Sequence, residues 1–181
     1  MARHVILLRG INVGGKNKLA MAALKACLEE LGYTGISTYI ASGNVVMSSA
    51  KGARAIEREI ETALGERFKL DSELIRVLAL PATKFNAVIK DRPKEFGDEP
   101  GKYHSDAIFL MGLSVAEAVQ AFEPREGVDT LWPGKGLIYH QRLSAKRTQT
   151  RLNKMMANPA YKSMTIRSWQ TVEKLAEMLD A

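Results

Sequence analysis

A chain of 181 residues, 46% hydrophobic and 25% charged, is long enough to bury a core and has the composition of a globular protein. It has no apolar run long enough for a membrane span or a signal peptide, and its single cysteine allows neither an intrachain disulfide nor a cysteine-built metal site. We therefore expect a cytoplasmic protein of one or two domains that does not enter membranes.

The net charge of +6 is spread unevenly along the chain. Residues 1–28 contain five lysine or arginine residues and no acid, and residues 130–172 contain eight with no acid. Acidic residues outnumber basic ones between these two segments. Two acid-free segments favour a polyanionic or phosphate-bearing partner, although a surface charge that varies without any partner explains the pattern equally well.

Apolar periodicity in the first half of the chain predicts alternating strands and helices. The predicted elements are a strand at 4–9, a helix at 19–31, strands at 36–40 and 45–48, a helix at 53–68, a strand at 74–80 and a short connecting helix at 81–89. The residues Ala-Ser-Gly-Asn at 41–44 form a hairpin turn between the second and third strands. The order β-α-β-β-α-β is that of a ferredoxin-like unit.

The same order of elements recurs in the second half. The predicted elements are a strand at 106–111, a helix at 114–122 opened by a Ser114–Glu117 capping box, strands at 128–132 and 137–140 around a hairpin at 133–136, a helix at 148–156, a strand at 164–167 and a helix at 169–179. We predict an α+β protein of two tandem ferredoxin-like modules with a C-terminal helix. The first module with its connecting helix occupies residues 1–90, a linker 91–104, and the second module with the C-terminal helix 105–181.

The glycine-rich loop (residues 9–18, RGINVGGKNK) is the best candidate for a site. Glycines allow backbone N–H groups to turn outward, and neighbouring cations complete an anion-binding concavity. In a sheet of strand order 4-1-3-2 the first two strands are parallel, so this loop and the 41–44 turn emerge at the same end. The candidate ligand-binding residues are Arg9, Asn12, Gly14, Gly15, Lys16, Asn17, Lys18, Ser42, Gly43 and Asn44.

Residues 10–16 also match the G-x-x-x-x-G-K pattern of nucleotide P-loops. The next residue is Asn17, where that loop needs a Ser or Thr hydroxyl to hold magnesium. The predicted β-hairpin also conflicts with the mostly parallel sheet of such enzymes. The pattern therefore does not predict a P-loop kinase, but the anion-binding argument does not depend on it.

A second basic segment offers a further candidate surface. It comprises Arg142, Lys146, Arg147, Arg151 and Lys154, which could follow a phosphate backbone or could equally be a solvated helix start with acidic partners elsewhere. The predicted strands 4–9 and 45–48 lack the aromatic residues of an RNA-recognition module. We expect structural or surface roles for the three histidines, a core position for Cys27, and neither a metal nor a cofactor.

Several motifs resemble one family. The strand followed by Arg9–Asn17, the Ser42–Val46 segment, the Trp-Pro-Gly hairpin and a closing T-x-R-x-W-x-T-x-x-K-L segment are similar to those of the DUF1697 family of uncharacterised bacterial proteins. The closing segment comprises Thr165, Arg167, Trp169, Thr171, Lys174 and Leu175. Ser168 stands where the family usually has Asn. The resemblance implies a two-module α/β fold and a bacterial cytosolic setting, and it supplies no catalytic residues.

Three functional hypotheses follow from these observations. The first is a binding module that holds a phosphate-bearing ligand or a nucleic acid in the glycine-rich loop. The second is an enzyme acting on a small phosphorylated metabolite, for which Asp106 or His140 would have to reach the loop through the fold and serve as general base. The third is a structural or interaction protein in which the loop only shapes the junction between modules.

Overall fold

The computed structural model describes residues 1–71 and 75–181. The chain divides into two compact units: the first contains Met1–Asn86 and Lys174–Ala181, and the second contains Ala87–Glu173. Each unit has a four-stranded antiparallel sheet with helices, so the predicted α+β class is confirmed. No helix in the described ranges is long and apolar enough to cross a membrane.

The first sheet contains β1 (Ala2–Arg9), β2 (Thr34–Tyr39), β3 (Asn44–Ser49) and β4 (Arg76–Pro81). Its strand order is β2-β3-β1-β4, with all neighbours antiparallel. The central strand β1 has five consecutive buried residues, because its apolar side chains are covered on both faces of the sheet. Leu74, the first residue of the predicted fourth strand, lies outside the described residues.

Three helices accompany this sheet: α1 (Met21–Glu30), α2 (Ala53–Arg67) and α3 (Ala82–Lys90). Their buried residues recur at helical spacing, as an amphipathic helix requires. In α1 these residues include Leu24, Cys27 and Leu28, which confirms Cys27 as a core residue. The apolar faces of α1 and α2 contribute to one hydrophobic core with the inward residues of the sheet.

The second sheet contains β5 (Tyr103–Leu110), β6 (Asp129–Pro133), β7 (Leu137–Leu143) and β8 (Met164–Ser168), in the order β6-β7-β5-β8. Helices α4 (Val115–Ala121) and α5 (Leu152–Met156) belong to the second unit. Helix α6 (Trp169–Asp180) begins in the second unit and from Lys174 onward belongs to the first. Two 3-10 helices span Ser144–Gln149 and Pro159–Ser163.

The predicted capping box is confirmed. The Ser114 hydroxyl accepts a hydrogen bond from the backbone N–H of Glu117, while the Glu117 carboxylate accepts one from the backbone N–H of Ser114. This exchange satisfies two N–H groups that the start of α4 would otherwise leave unpaired.

The prediction of a helix at 148–156 is wrong for residues 148–151. A 3-10 helix ends at Gln149, Thr150 adopts an extended conformation, and α5 begins only at Leu152. The cause is Asp129, which accepts hydrogen bonds from the Thr150 hydroxyl and from the backbone N–H of Arg151. A tertiary contact therefore overrides the local helical pattern.

Strand β5 starts earlier and β7 ends later than the sequence pattern indicates. Their ladder pairs Tyr103 with Leu143 and His104 with Arg142, and the N-terminal end of β5 falls within the segment predicted as a linker, 91–104. That segment also contains Phe96, which is fully buried. The phenyl ring of Phe96 packs edge-on against the rings of Trp132, Tyr139 and Trp169.

Candidate functional site

The glycine-rich loop folds into a small hairpin of its own. The backbone N–H of Lys16 donates to the carbonyl of Val13, and that of Asn12 donates to the carbonyl of Asn17, both at 3.0 Å. Gly14 and Gly15 form the turn with φ of 58° and 77°. A two-residue turn with both central residues at positive φ favours glycine at each position, so the Gly-Gly pair first serves the backbone geometry.

Asn12 connects the glycine-rich loop to two neighbouring segments. Its side-chain Nδ2 donates to the carbonyls of Leu19, at 2.8 Å, and of Ala41, at 2.7 Å. Its Oδ1 accepts the backbone N–H of Leu19 at 2.8 Å. The contact with Ala41 brings the loop against the 41–44 turn, as the strand order requires. The sequence predicted that the Asn12 side chain binds a ligand, but in the structure its amide is bonded to the backbone of Leu19 and Ala41.

Asn17 has a comparable role at the other end of the small hairpin. Its Nδ2 donates to the carbonyl of Gly10 at 2.7 Å, and its backbone N–H donates to Asp71 Oδ2 at 2.8 Å. Asp71 was missed by the sequence reasoning because no local pattern connects residues separated by 54 positions. A carboxylate of the protein therefore already occupies one amide of this loop.

The 41–44 turn is also held internally. The Nδ2 of the fully buried Asn44 donates to the carbonyl of Tyr39 at 3.1 Å and to the Ser42 hydroxyl at 2.9 Å. Gly43 has φ of 77°, and a Cβ built there would lie 2.7 Å from the Leu8 Cβ and 2.8 Å from the Ile11 Cδ1. Gly43 and Asn44 therefore stabilise the conformation of the turn and do not form part of its exposed surface.

All but one of the remaining predicted residues are exposed. Lys16, Lys18 and Ser42 are exposed, and Arg9 is half-buried at the end of β1. Gly14 and Gly15 are exposed as well, and a Cβ built on either would meet no described atom within 4 Å. The ten predicted residues therefore divide into an internal scaffold of Asn12, Asn17, Gly43 and Asn44 and an outer surface formed by the others.

The second basic segment is partly neutralised. Arg142 donates to Asp106 Oδ2 at 2.6 Å, Arg151 lies 3.6 Å from a carboxylate oxygen of Glu123, and Lys154 contacts the same carboxylate. Lys146 and Arg147 are exposed on the 3-10 helix. Three of the five predicted cations therefore have acidic partners, which supports the interpretation of a solvated, ion-paired surface.

Asp106 and His140, the residues considered as a general base, lie in contact with each other in the second unit. They face each other across β5 and β7, and His140 Nδ1 lies 3.7 Å from Asp106 Oδ2. On its other side His140 Nε2 lies 3.1 Å from Asp129 Oδ1, and His140 is fully buried. A histidine enclosed by two carboxylates was not apparent from three histidines far apart in sequence.

These carboxyl groups are held in the ionised form. Burial by itself would raise the pKa of Asp106, but the imidazoles of His104 and His140 and the guanidinium of Arg142 outweigh burial and lower that pKa well below its usual range. Burial also opposes ionisation of Asp129, whose pKa is nevertheless lowered, chiefly by hydrogen bonds from the Arg151 N–H and the Thr150 hydroxyl. Among the described residues, no three His, Cys, Asp or Glu side chains are placed to hold a metal ion.

The comparisons with known proteins agree with this architecture. A solved structure of a conserved bacterial protein from Streptococcus pneumoniae is 28% identical in sequence, superposes with a TM-score of 0.79 and is matched over 98% of each chain. No curated protein matches the chain. Residues 1–139 match the family described as "Protein of unknown function (DUF1697)". The chain therefore belongs to the DUF1697 family.

Proposed function

We propose that the glycine-rich loop binds a phosphate-bearing ligand. Lys16 and Lys18 supply positive charge from the exposed surface of the loop, and Arg9 supplies it from the adjoining end of β1. The exposed Gly14-Gly15 turn permits a close approach of the ligand to the backbone. The observation that carries the proposal is that the loop is fixed by its own hydrogen bonds while its lysines stay exposed.

A preformed loop favours binding because little ordering is needed when the ligand arrives. The amides of Asn12 and Asn17 provide this preorganisation through bonds to the backbone at 2.7 to 2.8 Å. These two residues act on the ligand indirectly, by positioning the turn. The Asn17 N–H is already bonded to Asp71, so the contacts proposed for the ligand fall to the exposed Gly14-Gly15 turn and the lysines.

We infer in addition that the two units are ferredoxin-like modules in tandem. The support is that each sheet has the strand order 4-1-3-2. In each unit one helix follows the first strand and helical segments precede the fourth, which is the pattern of the split β-α-β arrangement.

The test is a calorimetric titration with pyrophosphate and, separately, with a short single-stranded oligonucleotide at about 50 and 200 mM salt. We expect the Lys16→Ala/Lys18→Ala variant to weaken binding about tenfold, since each charge contact from an exposed lysine contributes up to about 1 kcal/mol and about 1.4 kcal/mol is a factor of ten in affinity. The matched control is Lys25→Ala/Lys84→Ala, which removes the same charge from exposed positions on α1 and α3.

Equal affinities of the two double variants would overturn the proposal, as would absence of binding by the native protein at low salt. Binding of the oligonucleotide with a steep salt dependence, and not of pyrophosphate, would identify a nucleic acid as the ligand. Binding of pyrophosphate alone would identify a small phosphorylated molecule.

A further inference from the structure

Two of the four large hydrophobic side chains that are exposed in the described part of the chain lie at one end of the first unit. They are Val13, with 66% exposure, and Ile40, with 53%. Single exposed apolar residues are ordinary on protein surfaces, so the position of these two matters more than their number. Val13 belongs to the glycine-rich loop, and Ile40 follows the last residue of β2.

A hydrogen bond joins the two loops beside these side chains. Val13 follows Asn12 in the chain and Ile40 precedes Ala41, and the Asn12 Nδ2 donates to the Ala41 carbonyl at 2.7 Å. Each apolar residue is therefore one peptide unit away from a residue of this contact. Val13 and Ile40 lie on adjacent segments of backbone, and we call them the apolar pair.

The backbone conformation of Ile40 is unfavourable for its side chain. Its φ is 48°, in the left-handed region where a β-branched residue is a rare outlier. Glycine or asparagine would adopt this conformation at lower cost, and the exposed side chain of Ile40 gains no core packing in return. Strained residues of this kind concentrate at functional sites, so a role in binding accounts for isoleucine at this position.

The turn that we propose to bind phosphate lies beside the apolar pair. Val13 immediately precedes Gly14 and Gly15, which form the exposed turn, and the exposed Lys16 and Lys18 follow them. A ligand that uses both surfaces carries an anionic group next to an apolar one. Nucleotides have this character, because each joins a phosphate to a flat base with a π-face.

The surface is open, which favours a strand over a free nucleotide. Residues 13–16 and 40–42 are all exposed, whereas sites for small molecules are concave and enclose most of the ligand. A strand binds an open surface through several contacts, with cations along its phosphates and side chains against its bases. The apolar pair is also far smaller than the roughly 20–30 residues that each partner contributes to a stable protein interface.

We propose that the ligand of the glycine-rich loop is a single-stranded nucleic acid, with one of its bases packed on the apolar pair. The inference rests on the proposed phosphate site and adds to it the surface that receives the base. The phosphates beside that base bind the Gly14-Gly15 turn, Lys16 and Lys18. Because aliphatic side chains make the contact with the base, we expect little preference for one base over another.

The test compares a short thymidylate strand with the same strand carrying abasic sites in place of its bases, by fluorescence anisotropy at about 50 mM salt. We expect the native protein to bind the intact strand about fivefold more tightly, the lower limit for a stacked base, because the side chains are aliphatic. In Val13→Ser/Ile40→Asn this difference should disappear, while both strands still bind through their phosphates. Asparagine tolerates the positive φ at position 40, so the variant should fold.

Two controls separate the contact with the base from the contact with phosphate. Met156→Gln removes an exposed apolar side chain from the second unit and should leave the difference between the two strands unchanged. Lys16→Ala/Lys18→Ala should weaken binding of both strands by the same factor, because both strands carry the same phosphates.

Equal affinities of the native protein for the intact and abasic strands would overturn the inference, and binding of pyrophosphate would then leave the phosphate site standing. A difference that persists in Val13→Ser/Ile40→Asn would also overturn it, because the base would lie elsewhere. Thymidine monophosphate bound as tightly as the strand would replace the strand with a free nucleotide. Binding to phosphatidylglycerol vesicles that the same variant abolishes, with no effect of the bases, would replace it with an anionic membrane.

Discussion

Asn12 and Asn17 show which features of the glycine-rich loop can be predicted from the sequence and which cannot. Asn12 and Asn17 have φ of 53° and 49°, in the left-handed region that Asn tolerates better than most residues. The sequence correctly indicates an unusual backbone here, because Gly and Asn are concentrated in one connection. It does not show that the amides donate to backbone carbonyls, since the three-dimensional path of the loop decides that Asn17 meets Gly10 and that Asn12 meets Leu19 and the more distant Ala41.

Replacing Asn12 by glycine isolates the contribution of its amide. Glycine accepts the positive φ, so Asn12→Gly removes three hydrogen bonds without adding backbone strain. We expect the free energy of unfolding to fall by about 2–3 kcal/mol in urea denaturation. Ile40→Gly is the control, because Ile40 also has a positive φ, of 48°, but is exposed. An equal loss in both variants would contradict the bridging role of Asn12.

Gly43 and Gly14 differ in the space around them, although both have positive φ. Gly43→Ala would push a methyl group into Leu8 and Ile11, so we expect a loss of about 3 kcal/mol or more from strain and overpacking together. Gly14→Ala meets no described atom within 4 Å and should lose only the roughly 1–2 kcal/mol of the backbone conformation. Thermal melts of the two variants measure the difference, and equal melting temperatures would contradict this account.

At the scale of elements, the sequence predicts a helix or strand reliably where the residues that determine it lie within that element. The capping box of α4 and the apolar stripe of α1 follow from the sequence because all of their determinants are local. The break between Gln149 and Leu152 does not, because its cause is a carboxylate on β6. Asp129 joins β6, β7 and the start of α5, so it determines where that helix begins.

The buried carboxylates predict how stability depends on pH. The pKa values of Asp106 and Asp129 are lower in the folded protein than the ordinary value of 3.8, so the unfolded chain binds protons more tightly than the folded one. Their contribution is complete above about pH 4 and is lost progressively as the pH falls through the depressed values. Urea denaturation between pH 7 and pH 3 should show stability falling with acid below pH 4.

Asp129→Asn provides the matched variant for this prediction. The amide cannot accept all the hydrogen bonds that the carboxylate receives from Arg125, Thr150, Arg151 and His140. We expect a loss of about 3 kcal/mol at pH 7 and a shallower decline below pH 4. A variant as acid-sensitive as the native protein, or as stable at pH 7, would show that Asp129 contributes little.

At the scale of the whole molecule, charge counted along the sequence differs from charge in the fold. Segments that contain no acid acquire acidic partners from the intervening acidic region: Asp71 reaches Asn17, Asp106 reaches Arg142, and Glu123 reaches Arg151 and Lys154. A basic segment in the sequence is therefore weak evidence for a polyanion site. Lys16 and Lys18 remain exposed cations of the first basic segment, and they carry the proposal of a phosphate ligand.

The central claim is that phosphate binds at the Gly14-Gly15 turn, and a ¹H–¹⁵N titration with pyrophosphate tests it most directly. Glycine amides lie in a separate part of such a spectrum, so Gly14 and Gly15 can be followed beside Gly112 and Gly136 of the second unit, which also have positive φ. We predict saturable shifts at Gly14, Gly15 and Lys16 that are lost in Lys16→Ala/Lys18→Ala. Unchanged signals at the turn, or equal shifts at the glycines of both units, would contradict it.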